Sequence, residues 1–561
     1  MFFREKKSGP RSYLQIVENR WEGAGSKQRV IATLGRVDEL RESGQLDALL
    51  QSGARFAQAV LLLSAHERGE LTHAKAQRIG PAQVFERLWQ ETGCQKVIGS
   101  LLRDRRFQFS VERALFLTVL HRLFDPGSDR QADRWRDDSA ISAVEKLDLH
   151  HVYRAMAWLG EVLPEDAQEG KTPFAPRCTK DLVEERLFDH RRDLFSSLDV
   201  VFFDTTSIYF EGEGGTTIGR HGKSKDSRPD LKQMVVGVVM NGEGRPICCE
   251  LWPGNTTDVK TLVPIVKRLR DRFHIGTICV VADRGMISEE TINELDERRW
   301  FYILGARMRS TAEVADEVLS RAGRSEVVHP KGKTSKDPSP LKVKEVWIWD
   351  RRYVVCANED QAKKDAADRQ AILEGLRKQL KKGDKSLVGN KGYRKYLKAP
   401  EESSFQVDED KVKEEARYDG KWVLRTNTPF APAQVALKYK QLWMVEDIFR
   451  TTKSLLQTRP IFHKRDETIR GHVFGSFLAL VLRKELQDRL AAKGYDDLEW
   501  ADVIRDLDRL EEVEVTQGEK RFVIRTEAVG TCGKTFQAAG VALPPTVRQL
   551  SALAKPDTET M

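Results

Sequence analysis

Three acidic residues stand where their neighbours call for something else. Asp204 ends the uninterrupted apolar run VVFFD, and Asp283 ends a second one, CVVAD, before an Arg-Gly turn. Glu446 lies in YKQLWMVEDIFRTTK (439–453), among Leu442, Trp443, Val445 and Phe449. A strand that is apolar on both faces is a covered, central strand, and its C-terminal end is where α/β sheets commonly place chemistry. One such Asp is readily explained as a strand-end turn or a helix cap. Two of them, ending two buried strands of one sheet, are a stronger signal.

Glu446 offers a third carboxylate. Seven helical residues turn about 700°, within ~20° of two full turns, so Tyr439, Glu446 and Lys453 fall on one stripe while Asp447 is rotated off it by about 100°. The flanking Leu, Trp and Phe argue against a solvated face, and the spacing predicts a packed helix bordering a wet cleft. Three converging carboxylates repel one another and a phosphate backbone. Mg²⁺ or Mn²⁺ removes that penalty, and two such ions can clamp both sides of an in-line phosphoryl displacement. The nearby cations suit a phosphate partner. RHGKSKDSRPDLKQ (220–233) carries five, including Lys223, Lys225 and Arg228; Arg284 follows the second Asp, and Arg450 and Lys453 follow the Glu.

The elements that must position these groups follow from pattern. LDVVFFD, QMVVGVVM, PICCELW, GTICVVAD and WFYILGA are short β-rich runs, with helical segments between the later ones. Three strands followed by alternating helix and strand predict a mixed sheet, antiparallel at its start and parallel at its end. Upstream, residues 12–34 read as a hairpin around EGAGS. VERALFLTVLHRLF, DPGS and a second helical stretch form a helix–turn–helix candidate for DNA binding or an ordinary bundle. From 307 to 420 the chain is polar, with a hairpin in VWIWDRRYVVCAN, a charged helix from about Asp360, and a basic run (377–398). That run holds nine Lys or Arg against one Asp; it includes Lys391 and Arg394, with Tyr393 and Tyr396 interleaved, and is either a DNA-tracking surface or a solvated loop. GKWVLRTNT resumes the strand pattern, and EVEVTQGEKRFVIRT reads as a C-terminal hairpin. Trp252 and Trp443 are expected in the core, and His463 as a satisfied structural histidine.

The bulk properties are permissive. The 561 residues exceed one core and predict several domains. The net charge of +8 is compatible with a polyanionic partner. The seven cysteines form no C-x-x-C pair and read as reduced packing residues of a cytoplasmic protein. MFFREKKSGP has no signal-like apolar region, and no run reaches the ~20 apolar residues of a membrane span.

In order, FDTTSIYF, HGKSKDSRPDLKQMVVGVV, PGNTTDVKTL, VVADRGMIS and YKQLWMVEDIFRTTKS followed by RPIFH resemble insertion-sequence DDE transposases, specifically the group with a Tyr-x2-Arg-x3-Glu-x6-Lys signature. The resemblance is strong over 200–306 and 420–485. It implies an α/β fold: an RNase H-like mixed-sheet core with a β-rich insertion domain, preceded by a β-hairpin and a helical DNA-binding region. The implied division is 1–80 (hairpin and helix), 81–196 (helical), 197–306 and 421–490 (core), 307–420 (insertion) and 491–561 (accessory). Asp204, Asp283 and Glu446 match the catalytic, metal-holding triad, and Tyr439 and Lys453 match the signature. Leu442 occupies the signature's Arg position, and Asp129 stands where a basic residue is expected after the Pro-Gly-Ser turn. The resemblance further implies a nucleoid-associated enzyme with two Mg²⁺ (or Mn²⁺) ions. It would act as a homodimer that binds terminal inverted repeats, cleaves phosphodiesters and joins the 3′-OH ends to target DNA.

The alternatives are an RNase H-fold nuclease or resolvase, or a transposase-derived DNA-binding protein without strand transfer. An aspartate-nucleophile phosphatase is disfavoured because Thr206 stands where a second Asp belongs. A P-loop ATPase is excluded, since none of the GKT or GKS triplets at 170, 222, 332 and 533 has a Gly five residues before its own.

Overall fold

The computed structural model describes residues 2–22, 25–43, 45, 71–169, 171, 175–195, 200–275, 278–329, 339–381, 391–398, 405–517 and 520–550. The chain forms two compact units. The first comprises residues 1–76, 511–527 and 544–561, the second 77–510 and 528–543.

In the first unit β1 (Phe2–Ser8), β2 (Arg11–Glu22) and β3 (Gly25–Arg36) make an antiparallel meander, followed by the short helix α1 (Val37–Glu42). The β2–β3 ladder is the expected hairpin, running to Glu22↔Gly25; β1 adds a strand at its side. A separate four-stranded sheet includes β4 (Leu71–Arg78).

The second unit begins with helices α2 (Gly80–Glu91), α3 (Cys94–Leu101), α4 (Val111–Phe124), α5 (Asp129–Asp137), α6 (Leu149–Leu159) and α7 (Thr179–His190). α4 starts at the Ser110 cap and is buried along nearly its whole length, so it is core rather than a free-standing DNA-binding element.

The central sheet then forms from β5 (Val200–Tyr209), β6 (Gln233–Asn241), β7 (Pro246–Pro253), α8 (Leu262–Phe273), β8 (Cys279–Ala282), α9 (Glu289–Glu297) and β9 (Phe301–Gly305). β5 pairs antiparallel with β6, and β6 with β7. β8 lies parallel to β5, and β9 parallel to β8. The order β7-β6-β5-β8-β9 is the mixed sheet expected of an RNase H-like core.

Residues 307–420 supply β10 (Glu326–Val328), β11 (Leu341–Ile348), β12 (Arg351–Asn358), α10 (Glu359–Leu380), α11 (Lys391–Arg394), β13 (Leu397–Lys398), β14 (Gln406–Val407) and α12 (Glu409–Ala416). They do not stand apart from the core sheet. β15 (Lys421–Thr426) pairs with β9 on one side and β12 on the other, so β12, β11 and β10 extend one nine-stranded sheet.

After β15 come α13 (Pro432–Lys440), α14 (Trp443–Arg450), a π-helical turn (Thr451–Leu455), the long α15 (Asp466–Ala492) and α16 (Trp500–Asp508). β16 (Glu511–Gln517) and β17 (Lys520–Arg525), the expected C-terminal hairpin, join the four-stranded sheet of the first unit. α17 (Cys532–Ala539) returns to the second unit, and β18 (Val547–Leu550) completes the four-stranded sheet.

α15 is buried almost continuously from Thr468 to Leu482 and packs against α4 and α6. The approach to α6 needs glycine on both sides, because a Cβ at Gly160 or Gly471 would collide with the carbonyl of Glu467 or Met156. Alternation along β5 divides the core: Phe202, Ile208 and Phe210 join the α13–α15 layer, while Val201 and Phe203 join the layer of α8 and α9. The seven cysteines are all buried. No helix of the described residues is long and apolar enough to cross a membrane.

One internal feature escapes sequence reading. Lys180, Asp181 and Glu184 of α7, Glu250 of β7 and Arg268 and Arg272 of α8 form a charge network, none of the six side chains more than 4% exposed. Arg272 reaches Asp181, Glu184 and Glu250 at 3.4, 2.9 and 3.2 Å. Lys180 bonds Asp181 at 2.7 Å and the Cys249 carbonyl at 2.8 Å, and Arg268 pairs with Glu250. Three cations balance three anions.

Candidate active site

The first two acids are brought together by strand register. β5 and β8 run parallel with Phe203 opposite Ala282, so the next position on each chain is Asp204 and Asp283. Adjacent strands lie about 4.8 Å apart, so the two carboxylates leave neighbouring strand ends. Even-numbered β5 residues face the α13–α15 layer, which puts Asp204 on the same side of the sheet as the Glu446 helix. Neither Asp has an ion-pair partner among the described residues. Burial pushes the Asp204 carboxyl up to about 6; Lys225 and the Thr205 amide pull the other way, and Asp283 and Asp258 add to the rise. The Thr205 N–H donates to Asp204 Oδ1 at 2.7 Å.

Asp283 is held from α13. The Tyr439 hydroxyl donates to its Oδ1 at 3.0 Å, and burial together with the Asp283 charge keeps that phenol firmly protonated. Gly305, at the end of β9, makes the passage possible, since a Cβ there would collide with the Tyr439 hydroxyl. Tyr439, expected to contact DNA, therefore spends its hydroxyl on the second Asp.

The single stripe through 439–453 is corrected by the structure. Leu442 N bonds Tyr439 O and Val445 N bonds Leu442 O, three-residue spacings that separate α13 from α14. Beyond Arg450 the chain winds into a π-turn, closed by Leu456 N to Thr451 O. Tyr439, Glu446 and Lys453 thus sit on three differently wound segments, and the 3.6-residue arithmetic does not carry across them. Leu442, at the break, is buried in the main core with Val445 and Phe449, which gives the residue in the signature's Arg position a packing role. Trp443, expected in the core, is 44% exposed, whereas Trp252 is buried. Glu446 shares the outer face of α14, exposed and without a hydrogen-bond or ion-pair partner among the described residues. α14 packs on β5 and β6, yet the three carboxylates do not close to within 4.8 Å of one another.

The remaining expected DNA contacts divide into engaged and open groups. Lys453 bonds Asp226 Oδ1 at 2.6 Å, and Arg459 reaches the same oxygen. Lys225 is tied to Thr205 and Asp258, and Arg228 to Asp230 at 2.9 Å. Arg450 is 72% exposed, with only a 3.8 Å approach to Asp447. Lys223 and Arg284 are exposed at the wall of a cavity of about 580 Å³ at the strand ends, which Lys225, Arg307 and Arg309 also line against the acid Asp258. In the basic run Arg394 is exposed, while the Lys391 side chain and residues 382–390 lie outside the described residues. Tyr396 is 4% exposed and packs with Leu373 and Leu376 of α10, and Tyr393 joins that small cluster, so neither tyrosine is displayed for base stacking.

Asp129, in the position where a basic residue was expected, lies 3.3 Å from His463 Nε2. His463 in turn approaches His472 Nδ1 at 3.2 Å, and Arg122 reaches that nitrogen at 2.9 Å. With a guanidinium on the His472 lone pair, this cluster is a hydrogen-bonded knot between α5 and α15 rather than a cation site. Sequence reasoning missed Arg307, Arg309 and Asp258; the PGNTTD loop carrying Asp258 was visible only through resemblance.

Comparison with known proteins gives a family for the chain. A transposase DDE domain model matches residues 196–482, and an IS1634 family transposase N-terminal domain model matches residues 3–66. No curated protein matches the chain. Among solved structures, a piggyBac transposase synaptic complex with hairpin DNA is 11% identical over 78% of this chain and 82% of that chain, with a TM-score of 0.34. A Mos1 transposase paired-end complex with the left transposon end is 15% identical over 36% and 61%, with a TM-score of 0.14. Both lie too far away to bear on the fold or the chemistry.

Proposed function

This chain belongs to the DDE transposase family, and from that premise we propose that it binds the terminal inverted repeats of its element, hydrolyses a phosphodiester at each end and joins the freed 3′-OH to target DNA. The observation that carries this reading is the Asp204–Asp283 pair: two half-buried acids at neighbouring strand ends, with no lysine or arginine ion-paired to either among the described residues. Such a pair relieves its repulsion by taking up a proton or a cation, and its all-oxygen donor set fits Mg²⁺ or Mn²⁺. Asp204, Asp283 and Glu446 would hold the ions, which supply Lewis-acid stabilisation of the attacking and leaving oxygens.

The protein's own contributions are positional. The Thr205 amide fixes one oxygen of Asp204, and the Tyr439 hydroxyl fixes one oxygen of Asp283. Lys223, Arg284 and Arg307 place an excess of positive charge along the cavity at the strand ends, a surface suited to a phosphate backbone. Glu446, on the exposed face of α14, would supply the third carboxylate. The protein would act as a homodimer that brings two element ends together.

Incubation with end DNA and Mg²⁺ tests the proposal. Wild-type protein should nick at the element ends and then join them to target DNA, while Asp204→Ala, Asp283→Ala and Glu446→Ala should not. Nicking that persists in all three variants overturns the site assignment; end DNA that is bound but never nicked under Mg²⁺ or Mn²⁺ overturns the activity.

A further inference from the structure

The loop Pro253-Gly254-Asn255-Thr256-Thr257-Asp258 holds none of the proposed metal ligands, yet it is built with care. It leaves the end of β7, and Gly254 passes hard against the backbones of Arg220 and Gln233, where a Cβ would collide with both carbonyls. The loop then closes into a single 3-10 turn, Asp258–Lys260, which brings the Asp258 carboxylate behind β5. There Oδ1 accepts from Thr205 Oγ1 at 2.6 Å, and Oδ2 pairs with Lys225 Nζ at 3.2 Å. Lys225 also donates to the Thr205 carbonyl at 2.7 Å and to its hydroxyl oxygen at 2.9 Å. The Lys225 backbone N–H is in turn fixed by Ser207 Oγ at 2.7 Å.

Thr205 is therefore gripped at its side chain and its carbonyl from one face of the sheet. Its amide, meanwhile, holds Asp204, whose side chain leaves from the other face. β8 ends opposite Phe203, so from Asp204 onward β5 has a strand neighbour on the β6 side only. The Asp258–Lys225 pair braces the strand where the ladder stops. The two side chains are 27% and 35% exposed, and a pair so open to water adds little to folding. Its placement matters more than its energy.

We propose that Asp258 is a positioning residue for Asp204: by holding Thr205 and Lys225 it keeps one oxygen of the Asp204 carboxylate on the Thr205 amide and keeps the Lys225 ammonium away from the other. This rests on the reading of Asp204 and Asp283 as a divalent-cation pair. Groups that orient a metal-binding side chain typically change metal affinity by about 10- to 100-fold when removed. Without Asp258, Lys225 loses its ion-pair partner and keeps only its bonds to Thr205 and Ser207, next along the strand to Asp204.

The test is Mn²⁺ binding to the full chain, read from the electron paramagnetic resonance signal of free Mn²⁺, with Asp204→Asn as the blank. Asp258→Asn should weaken binding about 10-fold or more, while the metal-free melting midpoint stays near that of the wild type. Asp258→Glu should recover part of the affinity. Thr205→Val, which removes the hydroxyl but keeps the amide, should weaken binding less than Asp258→Asn. Adding Lys225→Met to Asp258→Asn should restore affinity by removing the competing ammonium. Unchanged Mn²⁺ affinity in Asp258→Asn overturns the proposal. So does a loss that tracks a falling metal-free melting midpoint and is not recovered by Asp258→Glu, because that marks a merely structural residue. If wild-type protein binds no more Mn²⁺ than Asp204→Asn, the cation-pair reading fails first.

Discussion

Two regions of this molecule bury acids, and they do so in opposite ways. In the α7–α8–β7 network Asp181, Glu184 and Glu250 face Lys180, Arg268 and Arg272, and every charge has an opposite number in contact. At the ends of β5 and β8, Asp204 and Asp283 stand side by side with hydrogen-bond donors but no paired cation. The first arrangement is complete as it folds. The second leaves a deficit of positive charge that a ligand must supply, and so the unbalanced region, not the denser one, is where function is sought.

The largest expected effect separates the regions by activity. Asp283→Asn should cut end-DNA cleavage by about three orders of magnitude or more, ~4 kcal/mol of barrier, without lowering stability. A stability loss comparable to that of a network variant would break the comparison. Next comes the network itself. Arg272→Met strips one of the partners from each of three buried acids and should cost about 3–5 kcal/mol in denaturant unfolding; a change under ~1 kcal/mol would mean that the network is merely tolerated.

The pH dependence should have opposite sign at Asp204 and at Asp181. The folded Asp204 carboxyl titrates near 6, above its ordinary 3.8, so between these values the folded state binds more protons than the unfolded state. Stability from this group is therefore full below about pH 3.8 and is lost as pH rises through about 6. Asp204→Asn removes the loss and should stabilise the metal-free protein by roughly 1–3 kcal/mol at neutral pH, with little gain at pH 4. Burial alone would raise Asp181 too, but Lys180 and Arg272 hold it well below the usual range, so its contribution is present at neutral pH and lost on acidification. Melting curves of wild type and Asp204→Asn across pH 4–8 check the sign.

The smallest effect concerns cations already engaged. Lys453 and Arg459 share Asp226, so Asp226→Asn should free both and tighten DNA binding a few-fold, with the salt slope steeper by about one. Gel-shift titrations at several salt concentrations read this directly. Weaker binding would mean that Asp226 aims these cations rather than restrains them.

Much of the strand-end site was legible because it obeys local rules. Apolar runs that end in Asp predict covered strands with chemistry at their tips, and the alternation of strands and helices predicts the mixed sheet. Glu446 was found by an argument that assumed one straight helix, and the break at Gln441–Leu442 and the π-turn at Thr451–Leu455 show where that argument overreached. No local pattern announces Tyr439 as the partner of Asp283, because the bond needs a glycine on a third strand, Gly305, to let it through. Asp258 lies far along the chain from Thr205 and meets it only after β6 and β7 have folded back. The buried network was invisible for the same reason: TKDLVEERLFDH reads as an ordinary charged helix until α8 and β7 supply its partners.

The placement of residues 307–420 has a consequence for self-association. β9 and β15 are antiparallel neighbours, with Gly305 opposite Leu424, so the whole segment occupies the position of a turn between two adjacent strands. Its points of entry and exit are close, and in principle it could be cut away with the order of the core strands preserved. Yet β12 covers the outer edge of β15, and the outermost strand on that side becomes β10, only three residues long. A long bare edge templates the addition of another chain, and a three-residue edge offers almost nothing to add to. A shortened protein joined across this turn would display all of β15 to its neighbours, and it should fail first by aggregating, before any loss of its chemistry could be measured.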